Sequence, residues 1–425
     1  MSHACYNMTL ALAAPAAKWW LRRHPVYAPL LQRFHPEVPP RGRGGICLHA
    51  CSVGEVGVAR PLVRALAEAL PDVPVLLTVS TLSGRELAAR TCPDTPLAWF
   101  PFDTVSAVRA YLKAARPRVL VLLETEVWPN ILRECERQGI PTVLINGRLS
   151  DKHFKRYRRG RAFFRAAFRR IDFAGMQDQR YLERYRRITG PGVRAEVTGN
   201  IKYDSVRTDV PAHARTRARA EAAIPENAPV LVFGSTRPGD EQLAAECWTR
   251  LRTGLPSLRL VLAPRHLNRI DEALAPFSGP VSRLSARRAG GNAGEPAPIL
   301  CVDTMGELST FYAIASVAVV GGSFFPGVNG HNPLEPAALG VPTVFGPWMS
   351  NFAEPAQTLL EAGGARQAEA AQLCAVLEEL LADPSEQRRM GTRARRTVLE
   401  RRGAVQRNIG LIREAMEASE KPVPA

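Results

Sequence analysis

A carboxylate near the start of the chain stands where it could act as a general base. Glu55 lies in the segment 51–55, directly after the apolar run 46–50. Ser52 and Gly54 permit a tight turn from a strand into a helix, which places Glu55 in the first helical turn. A carboxylate in that position could accept the proton of an attacking hydroxyl. Spacing alone favours the simpler alternative, in which Glu55 only stabilises the positive end of the helix dipole.

Two further acidic residues follow the next fully apolar run. Glu124 and Glu126 stand at the end of the predicted strand 119–124, and Pro129 suits the first position of the helix that comes next. Either carboxylate could orient an acceptor or stabilise developing charge, and the alternative is that one of them caps the helix. Lys202, in the segment 199–204, could meet a phosphate or a carboxylate, or could be a solvated linker lysine.

The second half of the chain carries four loops that each follow a predicted strand. Small residues and exposed backbone N–H groups in such loops favour an anion site, although no Walker A or Gly-x-Gly-x-x-Gly sequence is present. Four of them at successive strand ends predict a nucleotide site, with a helix-borne glutamate accepting from ribose hydroxyls. The four loops are 234–241, which contains Ser235 and Thr236, 263–266, 304–308 and 321–336, and the last of them leads into the helix that carries Glu335.

A strongly basic segment lies between these two groups of motifs. Nine lysines or arginines and no acidic residue stand between Lys152 and Arg170, interleaved with aromatic residues. A basic amphipathic helix of this kind suits an anionic lipid surface. RNA is the rival partner, but no RNA-binding motif accompanies the run, so the sequence predicts no nucleic-acid partner. The net charge of +16 also indicates an anionic partner.

Alternating strand and helix patterns must position these residues. Strands are predicted at 46–50, 73–79, 119–124 and 142–146, and again at 230–234, 259–263, 299–302 and 317–320. Strand–helix alternation predicts α/β doubly wound sheets, here two Rossmann-like domains facing a cleft. The predicted divisions are an N-terminal membrane-associated segment 1–40, an acceptor-binding domain 41–210, a nucleotide-sugar domain 211–395, and a C-terminal part 396–425, in which a basic helix over 395–418 packs back and a tail follows.

The ends and the cysteines of the chain bear on its location. The apolar stretch from Met8 to Leu21 is too short to span a bilayer, and its two tryptophans followed by basic residues fit a segment in the headgroup region. A buried amphipathic helix is the alternative. The eight scattered cysteines predict free thiols in a reducing compartment, and Cys47, His49 and Cys51 lack a second ligand pair at zinc spacing, so no metal site is predicted.

Taken jointly and in order, the motifs resemble those of the 3-deoxy-D-manno-octulosonic acid (Kdo) transferases of lipopolysaccharide synthesis, from about residue 43 to residue 413. The matching segments are Ser-Val-Gly-Glu at 52–55, Glu-Thr-Glu-Val-Trp-Pro-Asn at 124–130, Asn-Gly-Arg-Leu-Ser at 146–150, Gly-Asn-Ile-Lys-Tyr-Asp at 199–204, Gly-Ser-Thr-Arg-Pro-Gly-Asp-Glu at 234–241, Pro-Arg-His at 264–266, Met-Gly-Glu-Leu at 305–308 and Gly-His-Asn-Pro-Leu-Glu-Pro at 330–336. The chain differs from the usual pattern at Gly147 and Asn329 and in its less hydrophobic N-terminal segment.

The resemblance implies a GT-B fold, CMP-Kdo as donor and a lipid A precursor as acceptor at the cytoplasmic face of the inner membrane, with no metal or other cofactor. It implies that Glu55 is the catalytic base and that Glu124 and Lys202 stabilise the transition state. CMP contacts are implied at Pro264, Arg265, Gly306, Glu307, Leu308, Asn332 and Glu335. Two alternatives stay open: another GT-B enzyme that uses a UDP-sugar, and a basic membrane-binding protein without enzymatic activity.

Overall fold

The computed structural model describes residues 3–290 and 297–420, with side-chain exposure given up to residue 418. The chain divides into two compact units. Unit 1 contains the chain up to Ser205 together with the part that begins at Arg402, and unit 2 runs from Val206 to Arg401. The tail expected at 421–425 lies outside the described residues.

Unit 1 is built on a parallel sheet of seven strands in the order β3-β2-β1-β4-β5-β6-β7. Helices cover both faces, so the central strands are apolar along their whole length; every residue of the five from Val119 to Leu123 is buried. The strands are β1 (Ile46–His49), β2 (Val75–Val79), β3 (Leu97–Trp99), β4 (Val119–Leu123), β5 (Thr142–Gly147), β6 (Phe173–Met176) and β7 (Arg194–Val197).

The helices of the first half connect successive strands of that sheet. A 3-10 helix over Pro25–Phe34 follows the first of them, and another covers Ile201–Tyr203. The predicted basic helix over 152–170 is divided at Gly160 into two helices. The α-helices are α1 (His3–Arg23), α2 (Val53–Ala69), α3 (Leu82–Thr91), α4 (Val105–Ala115), α5 (Pro129–Arg137), α6 (Asp151–Arg159), α7 (Arg161–Phe168) and α8 (Gln179–Thr189).

Unit 2 repeats the design with a second parallel sheet of seven strands in the order β10-β11-β9-β8-β12-β13-β14. Its centre is again apolar and buried, with β8 between β9 and β12. The strands are β8 (Val230–Thr236), β9 (Arg259–Pro264), β10 (Val281–Arg283), β11 (Ile299–Cys301), β12 (Val317–Val320), β13 (Thr343–Phe345) and β14 (Ala365–Gln367).

The helices of unit 2 lie on both faces of its sheet. Cys247 and Cys374 form a disulfide with their Cα atoms 5.0 Å apart, so the expectation that all eight cysteines are free thiols is wrong at this pair. The helices are α9 (Ala212–Glu221), α10 (Asp240–Gly254), α11 (Ile270–Leu274), α12 (Leu284–Arg288), α13 (Leu308–Tyr312), α14 (Leu334–Ala338), α15 (Ala353–Glu361), α16 (Leu373–Ala382) and α17 (Pro384–Glu400).

The last helix, α18 (Ala404–Glu420), packs on the sheet of unit 1 and buries Ile409, Ile412 and Ala415 in its core. The single helix expected over 395–418 is therefore wrong in its continuity. The chain ends α17 at Glu400 and turns at Gly403, which has a φ of 92°, a conformation that glycine adopts without steric cost. None of the described helices is long and apolar enough to cross a membrane.

Candidate active site

Glu55 is held at the carboxyl end of the unit 1 sheet, where ligands bind in open α/β folds. The chain leaves β1, extends through Ser52 and enters α2, so that Glu55 stands in the first turn as the sequence predicts. Its Oε2 accepts a hydrogen bond from the backbone N–H of Cys51 at 2.5 Å. The carboxylate therefore satisfies an N–H at the helix start, which is part of the simpler alternative, and it is also buried, with an exposed fraction of 9%.

Three carboxylates influence one another at this place. Burial raises the pKa of Glu55 to about 9, and the charges of Glu126 and Glu124 add to the effect, while the N–H of Cys51 opposes it. The site thus brings together Glu55 from the end of β1 and two glutamates from the end of β4, and β1 and β4 are neighbours in the sheet.

The loop after β4 is strained and well anchored. Glu124 has a φ of 57°, in the left-handed region that non-glycine residues seldom occupy. The N–H of Glu124 donates to the carbonyl of Ile145 at 3.1 Å, and the carbonyl of Glu124 accepts from the N–H of Arg148 at 3.2 Å. Backbone strain of this kind is found where a side chain must be aimed at a ligand, and here the strained residue is one that the sequence singled out.

Glu126 has partners of its own. Trp128 donates its indole N–H to Glu126 Oε2 at 2.8 Å. Burial raises the pKa of Glu126, while the indole N–H, Cys51 and Arg33 lower it and Glu124 raises it further. Glu126 is therefore a fixed member of the carboxylate group rather than a helix cap, since the helix N-terminus at Asn130 and Ile131 is capped by Asp103 at 2.9 and 3.0 Å.

Lys202 lies in a segment that is tied to the same edge of the sheet. The side-chain oxygen of Asn146, at the end of β5, accepts from the N–H of Ile201 at 3.0 Å. Asn200 then accepts from the N–H of Lys202 at 3.1 Å and holds the short 3-10 helix. Lys202 itself is half-buried. The structure thus places the predicted lysine beside β5, the next strand after β4.

Arg33 is a component of the site that the sequence analysis missed. It donates through Nε to the carbonyl of Phe100 at 2.9 Å and through Nη1 to the carbonyl of Ser80 at 3.1 Å. Its Nη2 is buried without a hydrogen-bond partner among the described residues. Burial lowers the pKa of Arg33 to about 10, and the charges of Cys51 and Glu126 oppose this effect, so the guanidinium interacts electrostatically with both groups. No local motif marks it, because it stands in the segment assigned to membrane association.

In unit 2 the predicted loops meet at the carboxyl ends of β8, β9 and β12. Ser235 has a φ of 57°, and the N–H of Arg265 donates to the carbonyl of Thr236 at 3.1 Å. The Oγ1 of Thr236 is buried and has no partner among the described residues. Asp240 at the start of α10 accepts from the N–H of Gly322 at 2.6 Å and links the loop after β8 to the loop after β12.

Basic side chains converge on these loops. Arg237 donates through Nε to His331 Nε2 at 3.3 Å and also contacts His266. Burial lowers the pKa of His331 to about 4, with further lowering by Arg265, Arg237 and His266. Two uncharged histidines therefore stand among arginines, an arrangement suited to a phosphate. Arg237, His266 and His331 were quoted in motifs but not predicted as site residues.

Asn332 and Glu335 are neighbours, as their spacing predicts. Asn332 donates to Glu335 Oε1 at 3.4 Å, and its own oxygen accepts from the N–H of Leu334 at 3.1 Å. Burial raises the pKa of Glu335, and Asn332 and Arg265 oppose the rise. Arg265 and Glu335, both predicted as site residues, are therefore close enough to interact electrostatically.

Glu307 is oriented differently from the other predicted residues. Its carboxylate forms an ion pair with Arg288 at 2.8 Å, and Arg288 also binds Glu221 at 2.8 Å. Gly306 turns the chain with a φ of 85°, and Leu308 begins α13. What the segment 306–308 presents is therefore the backbone at a helix start, with the Glu307 side chain already engaged.

Two Rossmann-like units with loops at the carboxyl ends of parallel strands are the architecture of the GT-B fold. A solved glycosyltransferase from Rickettsia africae has the same fold: its TM-score is 0.57, with 10% identity over 89% of this chain and all of that one. The family profile described as 3-Deoxy-D-manno-octulosonic-acid transferase (kdotransferase) matches residues 21–205.

Curated relatives give the particular family. The 3-deoxy-D-manno-octulosonic acid transferase of Bordetella pertussis is 32% identical over 437 aligned positions, covering 97% of this chain and 99% of that protein. The enzyme of the same name from Haemophilus influenzae is 30% identical over 382 positions, covering 89% and 88%. The chain belongs to the 3-deoxy-D-manno-octulosonic acid transferase family, and the predictions of a GT-B fold and of a glycosyltransferase are confirmed.

Proposed function

We propose that the protein transfers Kdo from CMP-Kdo to a lipid A precursor, a tetra-acylated and phosphorylated glucosamine disaccharide, in lipopolysaccharide core synthesis. The observation that carries the proposal is the buried Glu55 carboxyl at the carboxyl end of the unit 1 sheet, coupled to Glu124 and Glu126. A family that transfers an acidic sugar needs a base for the acceptor hydroxyl, and Glu55 has the position and the environment for that role.

The proposed reaction is a single inverting displacement. Glu55 takes the proton of an acceptor hydroxyl, the hydroxyl oxygen bonds to the anomeric carbon of Kdo, and the bond from that carbon to the phosphate oxygen of CMP breaks. The electron pair leaves with CMP, and the configuration at the carbon is inverted. With a pKa of about 9 the Glu55 carboxyl is mostly protonated at neutral pH, so its ionised fraction is the form that accepts the proton, and that form is a stronger base than an ordinary carboxylate.

Each other predicted residue has a place in this proposal. Lys202 and Glu124 stabilise the charge that develops during transfer. Backbone N–H groups after Ser235 and Thr236 and the guanidinium of Arg265 hold the departing phosphate. Asn332 and Glu335 accept from the ribose hydroxyls, and the segment Gly306–Leu308 with Pro264 contacts the cytidine through its backbone. No metal enters the transfer, because CMP carries a single phosphate and no pyrophosphate needs a bridging cation.

Replacing the base tests the mechanism. We expect Glu55→Gln to lower the transfer rate by about a hundredfold or more, the usual contribution of a general base. Glutamine keeps an oxygen that can accept from the N–H of Cys51, so the start of α2 is preserved. Glu68→Gln is the matched control on the same helix, where the carboxylate is exposed and paired with Arg64. Transfer by Glu55→Gln at close to the wild-type rate, with the fold intact by circular dichroism, would exclude Glu55 as the base.

The donor is tested separately from the base. CMP should raise the thermal midpoint of the protein, because a ligand that binds only the native state stabilises it, and UDP should not. The shift should be lost in Arg265→Ala and kept in Arg252→Ala, whose side chain lies over the ring of Trp248. Stabilisation by UDP but not by CMP would favour the alternative of a UDP-sugar enzyme, and stabilisation by neither would favour a protein without this activity.

The acceptor and the number of sugars added are read from the product. Mass spectrometry of the lipid formed from CMP-Kdo and a tetra-acylated disaccharide should show the mass of the acceptor increased by one or more Kdo residues. The enzyme would act at the cytoplasmic face of the inner membrane, where such a lipid is met. If the mass of the disaccharide does not increase while Kdo is transferred to another lipid, the proposed acceptor is wrong.

A further inference from the structure

Beside the proposed base lies a group of three side chains with the chemistry of metal ligands. His49 ends β1, Cys51 follows it in the turn to α2, and Glu126 comes from the loop after the neighbouring strand β4. The Nε2 or Nδ1 atom of His49, the Sγ of Cys51 and a carboxylate oxygen of Glu126 all lie within 4.8 Å of one another. Nε2 of His49 is 3.9 Å from Oε2 of Glu126.

The ligand atoms are set up by partners outside the group. His49 Nδ1 lies 3.2 Å from both the carbonyl oxygen and Oγ1 of Thr78, so a proton on Nδ1 is donated to the carbonyl, and the lone pair of Nε2 is left on the side of the group, where Oγ of Ser80 also lies 3.5 Å from it. The imidazole ring stacks on Phe100 with centroids 3.6 Å apart and planes 14° apart. An imidazole whose orientation is fixed by such contacts is suited to bind a metal through Nε2.

Glu126 is held in the same way. The indole N–H of Trp128 donates to its Oε2 at 2.8 Å. Histidine and carboxylate ligands in metal sites are characteristically fixed by such outer hydrogen bonds. Cys51 and Glu126 are both only half-buried, so solvent can reach the group from their side, whereas His49 is fully buried.

The donor set selects the kind of cation. One nitrogen, one sulfur and one carboxylate oxygen match zinc and similar transition cations, whereas magnesium and calcium take oxygen ligands in larger number. A divalent ion with a thiolate and a carboxylate is neutral in total charge, which limits its repulsion by Arg33, a cation that interacts with all three side chains. Metal–ligand distances of about 2.0–2.3 Å require the three atoms to move together by about 1 Å or less. Half-exposed Cys51 and Glu126 can make that shift.

We propose that His49, Cys51 and Glu126 form a binding site for a zinc-class divalent cation, with a fourth position open to solvent. Binding replaces the proton of the Cys51 thiol by the metal, and the proton passes to solvent. The sequence could not show the site, because its third ligand, Glu126, comes from the end of another strand. The spacing also did not distinguish Cys51 from Cys47, which lies in the core on the other face of the sheet beside Tyr111. The site adjoins the proposed base, since the N–H of Cys51 donates to Glu55 and Glu126 is one of the three coupled carboxylates, but the proposal gives the metal no part in the transfer.

Cobalt(II) absorption tests the proposal without any measurement of transfer. The whole protein, kept reduced and free of metal, is titrated with Co²⁺. We expect one equivalent to bind with a thiolate-to-cobalt charge-transfer band in the near ultraviolet and visible bands of tetrahedral intensity. Zn²⁺ should remove both bands at stoichiometric amounts, and an excess of Mg²⁺ should leave them unchanged.

Single substitutions test whether the charge-transfer band comes from cobalt bound at His49, Cys51 and Glu126. Cys51→Ser should abolish the charge-transfer band, and Glu126→Gln should weaken cobalt binding by at least about tenfold, as expected for loss of a ligand. Cys92→Ser and Cys5→Ser are controls, since neither residue is in a disulfide and both lie outside the group. His49 is fully buried against Phe100, so its replacement is not needed for the test. The proposal is wrong if wild-type protein shows no band at millimolar cobalt, or if the band survives in Cys51→Ser.

Discussion

Single side chains in unit 2 are arranged to receive negative charge. Burial lowers the pKa of His331 to about 4, and Arg265 and Arg237, the latter in contact at 3.3 Å, add to the effect, so His331 is neutral at physiological pH. A neutral histidine among arginines leaves the positive charge of the arginines available to a phosphate. It also makes the folded state sensitive to acid, because protonation would add one more positive charge to the group.

The pH dependence of the free energy of unfolding should reveal the lowered pKa of His331. Its pKa is lowered in the folded state from 6.5 to about 4, so the unfolded chain takes up the proton first as the pH falls. The contribution of neutral His331 to the free energy of unfolding is fully present above pH 6.5 and is lost as the pH falls to about 4. Between about pH 7 and about pH 5 we expect a loss of up to about 2 kcal/mol in the free energy of unfolding.

Comparison with His331→Gln isolates the effect. Glutamine can still accept from Arg237 but does not titrate, so the variant should lose less stability over the same interval in urea denaturation. His24→Gln, on the exposed end of α1, serves as the matched control and should behave as the wild type. An equal loss in His331→Gln and wild type would show that other groups carry the acid sensitivity.

Chemistry at the residue scale was predictable only in part. The positions of Glu55, Glu124 and Asn332 relative to strand ends follow from the spacing of apolar runs and turn residues, which are local properties. Arg33 could not be found in this way, because its partners Ser80 and Phe100 are brought to it only by the folded sheet. For the same reason, the raised pKa of Glu55 depends on a strand that is distant in sequence.

Among the elements, α18 is tied to the rest of unit 1 at its start by the side chain of Asp204. Asp204 Oδ1 accepts from the N–H of Gly403 and its Oδ2 from that of Val405, both at 2.7 Å, at the start of this helix. Asp204 immediately follows the 3-10 helix that carries Lys202. The contact therefore links the last helix of the chain to the segment that presents the proposed transition-state lysine.

Removing this cap should loosen the helix locally. We expect Asp204→Ala to lower the free energy of unfolding of unit 1 by about 1–3 kcal/mol, since it leaves two N–H groups without their charged acceptor. Amide hydrogen exchange should rise at the start of α18 and in residues 199–205. Asp209→Ala, at an exposed position, is the control and should change neither measurement. Unchanged exchange in Asp204→Ala would mean that packing of Ile409 and Ile412 alone holds α18.

The elements themselves were predictable to different degrees. All eight predicted strands exist, because long apolar runs bounded by turn residues mark central parallel strands. Edge strands such as β10 and β14 were missed, since three residues with partial exposure carry no periodic signal. Breaks at Gly160 and Gly403 were also missed, because charge and apolar spacing continue through both glycines while the helix does not.

For the whole chain, the net charge of +16 is concentrated in part on surfaces that also expose apolar side chains. Helix α1 presents Met8, Leu12, Trp19 and Trp20 to solvent, with exposed fractions of 61%, 75%, 56% and 43%. It is attached to the rest of unit 1 by Tyr6, which donates to Asp103 at 2.9 Å and contacts Phe163 on α7. The exposed faces of α6 and α7 carry most of the basic run, including Lys152, Lys155 and Arg158.

These surfaces should bind the protein to anionic membranes, as a lipid acceptor requires. Vesicles containing phosphatidylglycerol should sediment with the protein at low salt and release it as salt rises, whereas phosphatidylcholine vesicles should bind it weakly. Each basic residue at such a surface contributes about 1 kcal/mol, so a Lys152→Gln, Lys155→Gln, Arg158→Gln triple variant should bind about a hundredfold more weakly. A triple variant of the exposed Arg388, Arg395 and Arg396 on α17 removes the same charge from unit 2 and should bind almost as the wild type does. Equal weakening in both triple variants would mean that overall charge, and not the surface formed by α1, α6 and α7, brings the enzyme to its lipid.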